Sequence, residues 1–277
     1  MGMRISTNVS AINAQRTMMT SQREIGKSMQ QLASGSRINK AADDAAGLAI
    51  SENLKSQIRS LSQAGRNAND GISMVQTAEG GLGEISNILT RMRELGIQAS
   101  SDTIGDTERG FLDKEVQLLK AEAQRITQTT RFGTTKLLDG SGDMYDFQVG
   151  INNSEDADRI SFNAGETDAT TATLGIDGFD FTSKTGAQEA LSAIDSAQSQ
   201  VNGYRAALGA LQNRLQSTVD NLGVQHENIS AANSRIRDTD IAQASSEAAR
   251  NQVLLASNTS VLAQANTMPN QAMKLIA

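Results

Sequence analysis

The chain has no cysteine and no tryptophan, one proline, one histidine, and only six phenylalanines and two tyrosines in 277 residues. Without cysteine, disulfides, thiolate nucleophiles and cysteine metal sites are all excluded. So few aromatics argue against one large compact core. The apolar fraction, 38%, is rich in Ala and Met, which suits long helices packed side by side along narrow stripes. The start, Met1-Gly2-Met3-Arg4-Ile5, lacks the apolar core and cleavage site of a secretory signal peptide. No stretch approaches the roughly eighteen apolar residues of a membrane span, so no membrane insertion is expected. If the protein leaves the cell, its route reads some other feature.

Charge is present but uneven. The net charge of −6 comes from 25 basic and 31 acidic residues. Residues 1–60 carry eight Lys or Arg against four Asp or Glu, whereas residues 139–180 hold ten acidic residues and only Arg159. The basic groups are interspersed along helix surfaces. The acidic centre reads as a solvated face and disfavours nucleic acid as a partner.

Periodicity supplies the architecture. From Ile194 through Ala197, Val201, Tyr204, Leu208, Leu211, Leu215, Thr218, Leu222, Gln225, Ile229 and Ala232 to Ile236, steps of three and four alternate without a break. Such a repeat argues for a coiled-coil seam within a helix over 188–236, with polar Thr218 and Gln225 setting register. A second stripe runs through Leu54, Ile58, Leu61, Gly65, Ala68, Ile72 and Val75. It resumes at Ala78 and continues through Leu82, Ile85, Leu89, Met92 and Gly96 to Ala99. Two consecutive three-residue steps at Val75–Ala78 predict an overwound or interrupted supercoil there. Gly80, Gly81 and Gly83 suit close packing or a local bend. A third helix, from Thr107 to about Thr129, presents Leu112, Val116, Leu119, Ala123 and Ile126, with Thr107 or Asp106 as its N-cap. The fold class is therefore mainly α, a long antiparallel coiled-coil-like helical bundle with a small β-hairpin-containing central region.

The centre and the ends differ from this bundle. Phe132, Tyr145, Phe147, Phe162, Phe179 and Phe181 all lie between residues 132 and 181. Tyr145, Phe147, Val149 and Ile151 alternate with polar residues as in a half-buried strand. Ile160 and Phe162 offer a second strand, and the segment reads as hairpins capping the distal end of the bundle. Residues 5–33 carry an interrupted pattern of Ile5, Val9, Ile12, Met18, Ile25, Met29 and Leu32, and 241–265 one of Ile241, Ala244, Ala248, Leu255, Val261, Leu262 and Ala265. Neither end holds a helix strongly alone. Both are expected to be disordered in the monomer and to fold against each other and against neighbours on assembly.

Candidates for chemistry are few. Asp43 and Asp44 could bind a divalent cation or transfer protons, but after Asn39-Lys40-Ala41-Ala42 they fit a helix start, where acidic groups favour the dipole. Arg37 and Asp44 could form an exposed ion pair. His226 lies in the coiled-coil helix without a second histidine, and a solvated position is expected. Gly80-Gly81-Leu82-Gly83 lacks the lysine and preceding strand of a phosphate loop. No catalytic residue, metal site or cofactor is expected, and the chain is not expected to be an enzyme.

The run from Leu32 through Gly35, Arg37, Asn39, Asp43, Asp44 and Gly47 to Ile50, and a second from Thr259 to Asn266 followed by Pro269, resemble the signature regions of bacterial flagellin. The resemblance covers 1–135 and 188–277. It implies a structural subunit that polymerises into the flagellar filament used for swimming and is secreted to the cell exterior. Junction proteins between hook and filament share the architecture loosely, and a junction or cap component is the alternative. The implied organisation is an N-terminal inner-core helix and junction at 1–44, the first part of an outer-core bundle at 45–131, a short acidic cap at 132–187, a C-terminal outer-core helix at 188–236 and a C-terminal inner-core helix at 237–277. The large outer domains of longer relatives are absent. Ile5, Val9, Ile12, Leu32, Val253, Leu254, Leu255, Val261, Leu262 and Ala265 are then the inner-core polymerisation residues. Val201, Tyr204, Leu208, Leu211, Leu215, Leu222 and Ile229 form the outer-core seam. The implied partners are further copies of the chain, the flagellar type III export apparatus and an export chaperone, and the junction and cap proteins. Arg91, Leu95 and Glu115 resemble a surface that vertebrate Toll-like innate receptors recognise, with Leu95 either the apolar anchor or a residue flanking the seam.

Overall fold

A computed structural model describes residues 7–276, with side chains through residue 268; Ile5 lies outside the described residues. The elements are α1 (Val9–Ser34), α2 (Ala45–Ala99), α3 (Asp106–Thr129), β1 (Arg131–Phe132), β2 (Thr135–Lys136), β3 (Met144–Gln148), α4 (Glu155–Asp158), β4 (Arg159–Asn163), a 3₁₀ turn (Ala164–Thr167), α5 (Lys184–Arg237) and α6 (Ile241–Ile276). The mainly helical fold with small antiparallel hairpins is thus the one the periodicity predicts. The chain forms two compact units: Met1–Gln57 with Asn228–Ala277, and Ile58–Glu227.

Local polar residues start most of the long helices. Asn8 accepts from the Ala11 amide at 3.1 Å, Asp44 from Gly47 at 2.8 Å, Ser183 from Gly186 at 3.1 Å and Asp240 from Ala242 at 2.9 Å, each satisfying a donor the first turn leaves free. Helix α3 differs from expectation. Its N-cap is Gly105, with no side-chain bond. Asp106 instead pairs with Arg109 at 2.7 Å, and Arg109 Nε donates to the Ala99 carbonyl, tying the start of α3 to the end of α2.

In the 58–227 unit, α2 and α5 run antiparallel. Lys184 meets Asp102, Asp195 meets Arg93, and Gln198 donates to Ser86, so position falls along α2 as it rises along α5. On α5, Ile194, Ala197, Val201, Leu208, Leu215 and Leu222 are buried, while Tyr204, Leu211 and Thr218 are half-buried. Gln225 is exposed, a departure from its expected seam position that leaves its amide in water. Ile229 is half-buried in the other unit. Helix α2 continues unbroken through Val75 and Ala78, both fully buried, at the step where the supercoil was expected to be overwound or interrupted. It buries adjacent pairs, Met74 with Val75, Ile85 with Ser86, and Leu95 with Gly96. The phase shift marks a second packed face on one helix.

That second face is covered by α3 and then by the central segment. Thr130 and Leu138 lie against Gly81, where an added Cβ would come within 2.7 Å of each. Beyond the end of α3, β3 pairs with β4 in the register Tyr145↔Phe162 and Phe147↔Ile160. Phe147 lies over Gly71, where a Cβ would sit 3.1 Å from its ring, and Asn67 donates to the Gln148 carbonyl at 2.9 Å. The centre therefore lies along the flank of α2, where an end cap was expected. The reason is length: α3 has 24 residues, about 36 Å at 1.5 Å per residue, and stops short of the apolar positions below Gly81. Leu137, Leu138, Ile160, Phe162, Ile176 and Phe181 join the same core as the long helices. Lys120 also belongs here: it donates to the Asp177 and Phe179 carbonyls and lies 4.2 Å from the Phe179 ring centroid. Burial lowers its pKa against the opposing pull of Asp113, Asp177 and Asp180.

The glycines separate two roles on one helix. Gly81 touches the third layer, while Gly80 and Gly83 have nothing within 4 Å of an added Cβ. Gly81→Ala should destabilise the monomer by about 1–3 kcal/mol, because buried Leu138 cannot withdraw. Gly80→Ala should stabilise it by about 0.5–1 kcal/mol through helix propensity alone. Urea unfolding followed by circular dichroism checks the sign of each; a stabilising Gly81→Ala would mean the centre does not pack on α2.

Candidate functional site

The unit formed by the two chain ends holds α1 and α6, packed against each other as an antiparallel pair. Asn8 Nδ2 donates to the Ala265 carbonyl at 2.8 Å at one end, and Thr239 N donates to the Gly35 carbonyl at 2.9 Å at the other. The ends, expected to be disordered in the monomer, are thus paired helices within a single chain. On α1 the inward positions are Ala11, Ala14, Met18, Ser21, Ile25, Ser28 and Leu32; on α6 they are Ala244, Ala248, Asn251, Leu255, Asn258, Leu262 and Ala265. Each set steps by three and four without interruption, the period of a coiled-coil seam. The seam is built largely of Ala, Ser and Asn, so the backbones approach closely but little apolar area leaves water. Ser21 and Ser28 are buried, and Asn258 Nδ2 is buried without a partner among the described residues, a loss of about 1–3 kcal/mol.

The large apolar side chains lie on the other faces. Val9 is 61% exposed, Ile12 57%, Met19 62%, Met29 54%, Val253 70%, Leu254 46% and Val261 51%. The sequence-derived inner-core set therefore divides: Leu32, Leu255, Leu262 and Ala265 face the partner helix, whereas Val9, Ile12, Val253, Leu254 and Val261 face outward. The sequence patterns contained Met18, Ile25, Leu32, Ala244, Ala248, Leu255, Leu262 and Ala265 but passed over Ala11, Ala14, Ser21, Ser28, Asn251 and Asn258, which complete the three-four spacing.

A short two-stranded clamp closes the pair at its junction end. Ser36 and Asp238 form an antiparallel bridge, Arg37 N donates to the Arg237 carbonyl at 2.6 Å, and the Arg37 guanidinium donates to the Ile236 carbonyl at 2.8 Å. Gly35 permits the turn, with φ 68° in the left-handed region. Arg37 thus caps a helix C-terminus, where a pairing with Asp44 was considered. Asp43 accepts from the Asn39 and Lys40 amides, which hold its carboxyl below the usual range. Both aspartates serve local backbone geometry. Arg237 bonds Glu52 at 2.5 Å, and that hydrogen bond lowers the Glu52 pKa.

The remaining candidates lie in the other unit. Arg91 donates to Glu115 at 2.9 and 3.0 Å and to Glu94 at 3.0 Å. Leu95 is 2% exposed. It belongs to the core, and the Arg91–Glu115 ion pair lies on the exposed side of the same helices. His226 is half-buried. Among the described residues, no helix is long and apolar enough to cross a membrane.

A single-chain helix pair that buries small side chains and displays large ones defines a class: a subunit of a self-assembling helical fibre. Comparison with known proteins specifies it. The bacterial flagellin N-terminal helical region matches residues 5–143, and the C-terminal helical region matches 191–276. The chain is 44% identical to the flagellin of Halalkalibacterium halodurans over 272 residues, covering 98% of this chain and 99% of that one. It is 38% identical to the flagellin of Bacillus subtilis (strain 168), with 99% and 100% covered. The crystal structure of Bacillus cereus flagellin superposes with a TM-score of 0.52 at 30% identity, covering 61% of this chain and 94% of that one. A proposed flagellar hook-associated protein of Vibrio parahaemolyticus shares the fold, with a TM-score of 0.58 at 14% identity over 71% of this chain and all of that one.

The chain belongs to the bacterial flagellin family, as a short form, and is a structural subunit of the extracellular flagellar filament, not an enzyme. The clamp generates a prediction. Because the Glu52 pKa is lowered in the folded state, its contribution to stability is present above the ordinary glutamate range and is lost as pH falls through the lower folded value. Carboxyl carbon titration should place the Glu52 midpoint below that of a free glutamate, and Arg237→Ala should return it upward. An unshifted midpoint in the unsubstituted protein would mean the ion pair does not form in solution.

Proposed function

We propose that polymerisation proceeds through the outward apolar stripe of the terminal helix pair, with Val9, Ile12, Val253, Leu254 and Val261 as the groups that neighbouring copies cover. The supporting observation is the division of α1 and α6 into a small-residue inner seam and an exposed large-residue outer face. Alone, the pair gains little from burial. In an assembly, apolar area removed from water contributes about 25 cal/mol per Å², and an open head-to-tail contact repeats into a polymer instead of closing. The terminal pair then forms the inner core of the filament, and the 58–227 unit the outer core.

The same weakness suits export. A cysteine-free chain whose ends are held by a marginal seam is readily threaded unfolded through the flagellar type III apparatus with a chaperone on its exposed apolar stripe. Hook–filament junction proteins and the cap meet the same surface at the filament ends.

Val253→Ser with Val261→Ser should leave the circular dichroism of the monomer unchanged and should weaken subunit addition by about 2–4 kcal/mol. The critical concentration for growth from filament seeds then rises about 30- to 1,000-fold. Unchanged growth would refute the role of the stripe.

A further inference from the structure

Two surface features of the 58–227 unit remain unused by its own core. One is a ridge on α3. Phe111 is 63% exposed and Leu118 73%, and with Lys114, Ala121 and Arg125 they fall on one exposed stripe at steps of three and four. Lys114 lies 5.7 Å from the Phe111 ring centroid, which keeps the cation on the stripe. The other is a groove of about 480 Å³ lined by Gln76, Glu79, Gly80, Gly83, Glu84, Asn87 and Arg205. Gly80 and Gly83 form its floor, and an added Cβ at either meets nothing within 4 Å. Glu79 and Glu84 make its walls acidic, and Arg205 Nε is buried without an acceptor among the described residues.

We propose that the groove receives the α3 ridge of a second copy of this chain, forming a lateral contact between outer-core units in the filament. This rests on the self-assembly reading above. Shape supports it: a bulky Leu118 or Phe111 needs a hole in the facing helix, and two glycines three residues apart make one. Charge supports it as well: Lys114 on the ridge faces Glu79 and Glu84 in the groove, while Arg125 is held by Glu122 of its own helix at 2.6 and 2.8 Å. Gly81, one position and about 100° around α2 from Gly80, faces the molecule's own third layer, so ridge and groove look out on different sides. The contact is therefore heterologous and leaves both surfaces free on the outermost copies, as an open polymer requires.

The native chain has no cysteine, which makes crosslinking clean. Two full-length variants, Leu118→Cys and Gly83→Cys, are mixed, grown from filament seeds and treated with a short bismaleimide. The mixture should yield crosslinked dimers about tenfold above the same mixture held as monomer, because the contact raises the local thiol concentration. Filaments of Leu118→Cys alone should give no such rise, since two ridges do not meet. Filaments that form normally with no excess of mixed dimers overturn the contact and leave the terminal-helix reading standing. If the variants do not polymerise, Lys114→Glu and Glu84→Lys in otherwise native chains decide. Growth slowed about tenfold by Lys114→Glu and restored by pairing it with Glu84→Lys supports the contact, and growth indifferent to both charges overturns it. Native chain that fails to extend seeds would instead count against the self-assembly reading itself.

Discussion

The terminal helix pair is closed by side chains too small to hold it firmly. Ala11, Ala14, Ser21 and Ser28 meet Ala244, Ala248, Asn251 and Asn258 across a close approach, so the seam defines geometry more than it supplies stability. Burying a large aliphatic side chain gains about 1.5–3 kcal/mol, and α1 and α6 leave most of theirs in water. Position on the helix, more than overall hydrophobicity, decides which of these side chains stay exposed. The clamp at Gly35–Arg37 and Arg237–Asp238 fixes the register of the pair through backbone bonds that need no apolar burial.

The other unit solves the opposite problem. Its long helices carry large apolar residues on two faces of α2, and the short α3 covers only part of the second. Glycines at 71, 81 and 96 admit Phe147, Leu138 with Thr130, and Leu191 with Phe181. The acidic central segment is thereby folded into the core through its aromatics while most of its carboxylates stay in solvent; Asp158 is buried and accepts from the Asn152 and Ser154 amides.

The helical architecture was legible because alternating three-four steps of Leu, Ile and Val are a strong periodic signal. Every position of the second stripe from Ala68 to Ala99 is buried. The placement of the centre was not legible, since alternation identifies strands at Tyr145–Phe147 and Ile160–Phe162 but carries no information on which helix they cover. The seam of the terminal pair was not legible where it runs through Ala11, Ala14, Ser21 and Ser28, residues whose burial depends on a close backbone approach that hydrophobicity does not report.

The central claim is that the terminal pair is marginal in the monomer and acquires its stability from neighbouring copies. Amide hydrogen exchange on monomer and filament tests it directly, because it reads local opening free energies. Residues 9–34 and 241–265 should exchange readily in dilute monomer and about a hundredfold more slowly in filaments, while 68–99 and 194–222 remain protected in both. Equal and strong protection of the terminal helices in the monomer would contradict the account.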